Sequence, residues 1–158
     1  MKKWPWFFVS LVVVVVDQLS KYWALNALSP YEPQNIMPML DLTLAFNTGA
    51  AFSFLSTLGA LNRWLLAGFS FLMSTVIIIW IVKLPQRLHL QLLALSLVLG
   101  GAVGNLIDRA ANGYVVDFIL IYYKNYHWPV FNLADTAICI GAFLLIIDFK
   151  NLSSKSIS

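Results

Sequence analysis

The sequence predicts an all-α membrane protein with four transmembrane helices and a small β-sheet or loop region on the outer side of the membrane. Of its 158 residues, 60% are hydrophobic and only 11% are charged, whereas about a quarter of the residues in a soluble domain are charged. Uncharged runs also recur at close to the about 20 residues that a helix needs to cross the hydrocarbon core. We therefore expect residues 1–158 to form a single membrane domain.

The predicted helices cover approximately residues 5–28, 62–83, 88–109 and 130–148. The first follows Lys2 and Lys3 and begins like a secretory signal peptide. However, Asp17 and Lys21 stand where small residues would mark a cleavage site, and apolar residues then resume. We therefore predict that this segment is retained as a spanning helix.

The distribution of lysine and arginine predicts the orientation, because basic residues in short loops remain in the cytoplasm. The basic residues assigned to the cytoplasmic side are Lys2, Lys3, Lys83, Arg87, Lys150 and Lys155, and those on the opposite side are Lys21, Arg63, Arg109 and Lys124. Both termini are thus predicted to be cytoplasmic. The outer segments are then approximately residues 29–57 and 110–128.

Each outer segment has its own pattern. In the first, Leu40, Leu42, Leu44 and Phe46 alternate with more polar residues, which predicts a strand with one apolar face. We expect a small sheet whose apolar face is turned toward lipid or a bound acyl chain; an ordinary surface hairpin is the alternative. The second is rich in aromatic residues around Tyr122–Trp128, which is typical of the membrane interface.

Six ionisable residues lie near the outer ends of the predicted helices or just beyond them: Asp17, Lys21, Asp108, Arg109, Asp117 and Asp135. Ionisable groups at membrane depth cost a few kcal/mol and are candidates for function. Asp17 and Lys21 are four residues apart and are expected to pair on one helical face. Asn105, Asp108 and Arg109 follow a G-x-x-x-G pattern, so we expect close helix packing and a supporting polar cluster there.

Asp117 and Asp135 differ from the other four because neither has a basic residue at helical spacing. If they lie close together they cannot both ionise cheaply, and such a pair can share one proton and carry out acid-base hydrolysis. An ordinary solvated carboxylate is the alternative interpretation of either residue.

Other reactive side chains suggest no further site. Cys139 is the only cysteine, which excludes an intrachain disulfide, and we expect it to be a small buried core residue. His89 and His127 lack the spacing of a helical zinc site, so we expect no metal and no cofactor. Because the basic residues do not cluster, we expect no nucleic acid partner.

Five motifs in order resemble those of lipoprotein signal peptidase, the signal peptidase II family. They are Asp17-Gln18-Leu19-Ser20-Lys21, Asn47-Thr48-Gly49-Ala50-Ala51-Phe52-Ser53, the stretch from Gly100 to Arg109, Val115-Val116-Asp117-Phe118, and Phe131-Asn132-Leu133-Ala134-Asp135. The resemblance extends over nearly the whole chain. It implies that Asp117 and Asp135 are the catalytic residues of a membrane aspartic endopeptidase.

The resemblance also implies the partners and the location. The expected substrate is a prolipoprotein with a diacylglyceryl group on its cysteine, cut on the N-terminal side of that cysteine at the periplasmic face of the bacterial inner membrane. Globomycin-like cyclic peptides are the expected inhibitors, membrane lipid is a further partner, and we expect a monomer. The residues expected to bind substrate or support the site are Asn47, Asn105, Asp108, Arg109, Asn132, Asp17 and Lys21.

The same residues allow three other interpretations. Intramembrane carboxylates could serve a proton- or ion-coupled carrier, although none is aligned through the inner half of the helices. A serine-lysine hydrolase using Ser53 is a second alternative, whereas Ser20 is a poor partner for adjacent Lys21. A structural protein without chemistry would leave Asp117 and Asp135 unexplained. The small residues after Asn47 suggest a lid over the site.

Overall fold

The computed structural model describes residues 3–49 and 60–155, without the side chains of residues 60–62 and 150–155. Four helices and four strands follow one another in the order α1 (Trp4–Ala27), β1 (Gln34–Met37), β2 (Leu40–Asn47), α2 (Ala60–Lys83), α3 (His89–Asn112), β3 (Val115–Tyr123), β4 (Tyr126–His127) and α4 (Leu133–Lys155). The fold is mostly helical, with a small antiparallel sheet. Ser53 and most of the proposed lid lie outside the described residues.

Helix α3 packs against all three other helices. Within the described residues, α1, α3 and the Arg63–Lys83 part of α2 are long and apolar enough to cross a membrane. Helix α4 has a comparable length of 23 residues and carries Asp135 and Asp148. These features describe a multi-pass membrane protein.

The predicted glycine face brings α3 unusually close to its neighbours. A Cβ atom at Gly100 would lie 2.6 Å from Cβ of Val13 on α1, and one at Gly104 would lie 2.5 Å from a carboxylate oxygen of Asp17. Gly101 faces α4, where an added Cβ atom would clash with the carbonyl oxygen of Ala134 at the start of that helix. These glycines thus allow α3 to approach both helices that carry candidate site residues.

The sheet has the strand order β1-β2-β3-β4 and is antiparallel throughout. Its β2–β3 register shifts between Leu42 and Ala45, where two residues of β2 face one of β3, as in a β-bulge. As a result Thr43 and Leu44 are both buried although they are consecutive. The strand predicted from the leucine alternation is confirmed.

The expected exposure of the apolar sheet face to lipid or a bound acyl chain was wrong for Leu44. Leu44 forms a core cluster with Ala24 and Leu28 of α1 and with Val116 and Phe118 of β3. Burying this surface against protein stabilises the sheet on the end of α1. The sheet therefore holds β3 at a fixed position beside the helices.

Cys139 also differs from the sequence expectation, because it is exposed on α4 and not buried in the core. Its neighbour Ile140 is 49% exposed. An apolar run in a membrane protein does not indicate which face packs against protein, since lipid solvates the other face equally well. The surface around Cys139 is therefore an outward apolar face of α4.

Contacts between elements define the two ends of the helical bundle. At one end Arg63 of α2 donates hydrogen bonds to the carbonyl oxygens of Arg109, Ala110 and Ala111, the last turn of α3. The carbonyl oxygens at the end of a helix are those that run short of partners within it, and here Arg63 supplies donors, although that of Arg109 also accepts from the N–H of Gly113 at 3.1 Å. At the other end Lys3 contacts the carbonyl oxygen of Leu84. The sheet and the candidate site lie at the Arg63 end.

Candidate active site

Asp135 is held by the start of α4. Asn132 precedes the helix, and its side-chain oxygen accepts from the backbone N–H of Asp135 at 2.9 Å. In return, a carboxylate oxygen of Asp135 accepts from the backbone N–H of Asn132 at 3.3 Å. This reciprocal pair is a capping box, which satisfies two otherwise unpaired N–H groups. Asp135 thus has a fixed orientation one turn into the helix.

Asp117 lies on β3 and is only 2% exposed. One carboxylate oxygen accepts from Nδ2 of Asn132 at 2.6 Å, and the other from Nδ2 of Asn47 at 3.0 Å. The pKa of Asp117 is raised from 3.8 to about 6, mainly by burial and also by the negative charge of Asp135, while the Asn47 and Asn132 hydrogen bonds and the charge of Lys21 oppose the shift. Asp117 can therefore hold a proton near neutral pH.

Asn132 joins the two aspartates. Its side-chain nitrogen binds Asp117 and its side-chain oxygen binds the backbone of Asp135, so both are positioned by a single residue. Asn105 of α3 completes the arrangement by donating to the second oxygen of Asp135 at 2.8 Å. The structure therefore brings the two predicted carboxylates into one hydrogen-bonded cluster, in which Asp117 is buried and Asp135 is partly exposed.

Beneath this cluster lies a buried ionic network centred on Lys21. Its ammonium group lies 2.8 Å from Asp17 and 2.9 Å from Asp108, and it donates to Asn105 at 2.9 Å. The predicted Asp17–Lys21 pair is confirmed. Lys21 also joins α1 to α3. This contact between helices could not be predicted from the four-residue spacing of Asp17 and Lys21 along α1.

The two acidic members of the network also hold the backbone beside the candidate dyad. Asp17 accepts from the N–H of Ala134 at 2.9 Å, immediately before Asp135. Asp108 accepts from the N–H of Val116 at 3.1 Å, immediately before Asp117. The network thus connects α1 and α3 to both chain segments that carry the aspartates.

Arg109 makes longer hydrogen bonds than Lys21 does. Its Nη1 makes long hydrogen bonds of 3.4 Å to Ser70 and 3.5 Å to the carbonyl oxygen of Asn105. Its Nε is buried and has no hydrogen-bond partner within the described residues. A buried unsatisfied donor is costly. Because the bonds of Nη1 are long, this nitrogen has hydrogen-bonding capacity to offer a ligand.

Two residues that the sequence interpretation did not assign to the site also contribute. Gln18 donates to Asp108 at 2.9 Å and to the carbonyl oxygen of Gly104 at 3.2 Å. The position of Gln18 between Asp17 and Lys21 in the sequence is the signal that could have assigned it to the site. Arg63 caps the helix that carries Asn105 and Asp108, but nothing in its local sequence indicates this contact. Ser20 donates to its own helix backbone at 2.7 Å.

Chemically, the cluster combines a carboxyl group able to hold a proton with a second carboxylate fixed beside it. Such a pair fits hydrolysis by acid-base catalysis. The sequence profile described as "Signal peptidase (SPase) II" matches residues 9–151. The chain belongs to the signal peptidase II family. As a member of this family it is a peptidase.

Relatives and solved structures agree with this assignment to the signal peptidase II family. The lipoprotein signal peptidase of Teredinibacter turnerae is 48% identical over 143 residues, which cover 90% of this chain and 85% of that protein. That of Hydrogenovibrio crunogenus is 46% identical over 140 residues, covering 89% and 81%. A structure described as a bacterial membrane enzyme superposes with a TM-score of 0.84 at 30% identity, covering 96% of this chain and 90% of the other.

Proposed function

We propose that this chain is an aspartic endopeptidase that removes the signal peptide from diacylglyceryl-modified bacterial prolipoproteins, cutting on the N-terminal side of the lipid-modified cysteine. Membership of the signal peptidase II family supports this function, as do relatives named lipoprotein signal peptidase. The observation that carries the proposal is the position of Asn132, which hydrogen-bonds both Asp117 and Asp135. A proton- or ion-coupled carrier is not favoured, because the family is one of peptidases.

In the proposed reaction the two aspartates have different roles. Asp135 accepts a proton from water as the water oxygen attacks the scissile carbonyl carbon. Asp117, whose pKa is raised to about 6, donates a proton to the carbonyl oxygen. As the resulting diol collapses, one of its hydroxyl groups returns a proton to Asp117, the C–N bond breaks, and the departing amine takes a proton from Asp135. Asn47, Asn105 and Asn132 hold the carboxylates in place for both steps.

The remaining polar residues have proposed supporting roles. Arg109 makes only long hydrogen bonds through Nη1, and we assign this group to a carbonyl oxygen of the substrate backbone. Asp17, Lys21 and Asp108 position the segments that carry Asp135 and Asp117, since they bind the backbone immediately before each aspartate. These residues therefore act on geometry and do not react themselves.

For the membrane arrangement we propose one peptidase domain spanning residues 1–158, with α4 as a fourth transmembrane helix. Both termini are assigned to the cytoplasm of the bacterial inner membrane, and the active site lies near the periplasmic face. The charge distribution supports this orientation. Membrane lipid and globomycin-like cyclic peptides are the proposed further partners of a monomeric enzyme.

The direct test is cleavage of a diacylated prolipoprotein by the purified protein in detergent. We expect release of the signal peptide, measured by mass spectrometry, with the new N-terminus at the lipid-modified cysteine. The same precursor without its lipid serves as the matched control and should be cleaved much more slowly. Absence of cleavage of the diacylated precursor by folded protein would contradict the proposed function.

The pH dependence of cleavage tests the role given to Asp117. Because Asp117 must donate a proton, kcat/KM should decline as the pH rises through the pKa of this residue. The Asn47→Ala substitution removes a hydrogen bond that favours the charged carboxylate, so the pKa should rise and the alkaline decline should move to higher pH. A pH-rate profile of both proteins measures the shift.

Asn35→Ala is the matched control for this experiment, because Asn35 lies on the same sheet and binds Asp41 and Tyr122. Its profile should coincide with that of the wild type. A shift of the Asn47→Ala profile toward lower pH, or an unchanged profile, would show that Asp117 is not the proton donor.

A further inference from the structure

A groove between α4 and the sheet reaches the candidate catalytic carboxylate of Asp135. It has a volume of about 490 Å³ and we call it the hairpin groove. Ile121, Trp128 and Phe131 line one wall, and Thr136, Cys139 and Ile140 of α4 line the other. Trp128 and Ile140 are 68% and 49% exposed, so the groove opens on the apolar outer surface of the protein.

A second cavity reaches Asp135 from the other face of α4. It has a volume of about 360 Å³, lies between α2, α3 and α4, and is called here the interhelix cavity. Phe69 and Met73 contribute apolar surface, while Ser70, Asn105 and Arg109 contribute polar groups. Asp135 lines both cavities, so a substrate bound at the aspartates can extend into each of them.

The two cavities differ in the hydrogen bonds that they offer. The interhelix cavity is lined by Arg109, whose Nη1 makes only long hydrogen bonds of 3.4 Å to Ser70 and 3.5 Å to the carbonyl oxygen of Asn105. In the hairpin groove the hydroxyl of Thr136 already donates to the carbonyl oxygen of Asn132 at 3.0 Å. The rest of this groove is almost entirely apolar, apart from Asp135. Both cavities are mostly apolar, but the interhelix cavity also has a donor with spare hydrogen-bonding capacity. It therefore suits a peptide backbone better, and the hairpin groove suits hydrocarbon.

The proposed substrate has two matching parts on either side of its scissile bond. The residues before the bond form an extended peptide, whose carbonyl groups require donors. The cysteine after the bond carries a diacylglyceryl group, which offers mainly hydrocarbon. We propose that the hairpin groove binds the diacylglyceryl group, while the peptide before the scissile bond lies in the interhelix cavity. This inference rests on the proposed function and adds the direction in which the substrate lies across Asp135.

Cys139 provides a direct probe, because it is the only cysteine in the chain and lines the hairpin groove. The experiment measures the rate at which N-ethylmaleimide alkylates Cys139 in lipid nanodiscs. Two ligands are compared: a short peptide beginning with diacylglyceryl-cysteine, which corresponds to one product, and the released signal peptide, which corresponds to the other. We expect the lipidated peptide to slow alkylation about tenfold and the signal peptide to leave it nearly unchanged.

A matched probe in the other cavity should give the opposite result. In the double variant Cys139→Ala/Met73→Cys the single thiol lines the interhelix cavity, and there the signal peptide should protect. Protection of Cys139 by the signal peptide, or equal protection by both ligands, would overturn the proposal. So would unchanged alkylation at a concentration of lipidated peptide that inhibits cleavage, which would indicate that membrane phospholipid occupies the groove.

A steric variant separates this inference from the proposed function. Cys139→Trp should fill the groove and raise KM about tenfold for a precursor with long acyl chains, with little change for a precursor with short chains. The control is Ile146→Trp, because Ile146 lies on the exposed surface of the same helix and outside the groove. If wild-type protein cleaves the precursor but Cys139→Trp does not discriminate by chain length, the inference fails while the proposed function stands. If wild-type protein does not cleave, the proposed function itself fails.

Discussion

Replacing Asp117 or Asp135 with asparagine is expected to lower kcat/KM for precursor cleavage by at least about a thousandfold, within the range of effects of general acid-base catalysis. An amide can form hydrogen bonds in the same place but cannot give or take a proton at neutral pH. Asn132, Asn47 and Asn105 should therefore keep their positions while the chemistry is lost. Cleavage by each purified variant, together with its thermal unfolding in detergent, measures both effects.

Asp41→Asn is the matched control for the two aspartate variants. Asp41 lies on β2 and binds Asn35, away from the hydrogen bonds of Asn132. Its activity should remain within about twofold of the wild type, as for a surface substitution that leaves the free energy of unfolding nearly unchanged. If Asp117→Asn or Asp135→Asn cleaves at a comparable rate, that aspartate has no catalytic role and Ser53 becomes the next candidate.

The Lys21→Met substitution is expected to lower the free energy of unfolding by about 3–5 kcal/mol. Lys21 is buried between Asp17 and Asp108, at 2.8 Å and 2.9 Å. Without this ammonium group the two carboxylates remain buried and lose the charge that lies between them, which is more costly than removing the whole network. Equilibrium unfolding in mixed micelles measures the loss.

Two further variants separate the ionic effect from general damage. The triple variant Asp17→Asn/Lys21→Met/Asp108→Asn contains no buried charge at this location and should recover part of the stability lost by Lys21→Met. Lys124→Met removes a lysine that contacts the ring of Tyr123, and its free energy of unfolding should change by less than about 0.5 kcal/mol. A Lys21→Met protein as stable as Lys124→Met would show that the network does not hold the bundle together.

Much of the fold could be predicted because the bilayer sets the length of apolar runs. The helix bounds still differ, because short-range signals determine where helices start and stop. Helix α3 continues to Asn112 because Gly113 adopts a left-handed conformation, with φ of 85°, that ends the helix. Helix α4 begins at Leu133, later than predicted, because Asn132 caps it. The exposed surface of Cys139 could not be predicted, since lipid and protein both accept apolar residues.

Contacts in the candidate site could be predicted from the sequence when the two residues are close along the chain, but not when they lie on different helices. Asp17 and Lys21 are one helical turn apart, so their pairing follows from spacing alone. The bonds from Asp17 to Ala134 and from Lys21 to Asp108 join different helices and depend on how those helices pack. The residues indicated that Asp117 and Asp135 could form a pair, but their resemblance to a known family was needed to favour that interpretation.

The capping box at α4 has a consequence for how this chain can vary in length. Asn132 caps the helix and Asp135 is its third residue, so the capping residue also sets the direction of the carboxylate. Each residue of an α-helix turns the chain by about 100°. An insertion or deletion of a single residue between Asn132 and Asp135 would therefore rotate the carboxylate away from Asn105 and toward another face of α4. The number of residues between Asn132 and Asp135 therefore cannot change by one without moving the carboxylate out of the site.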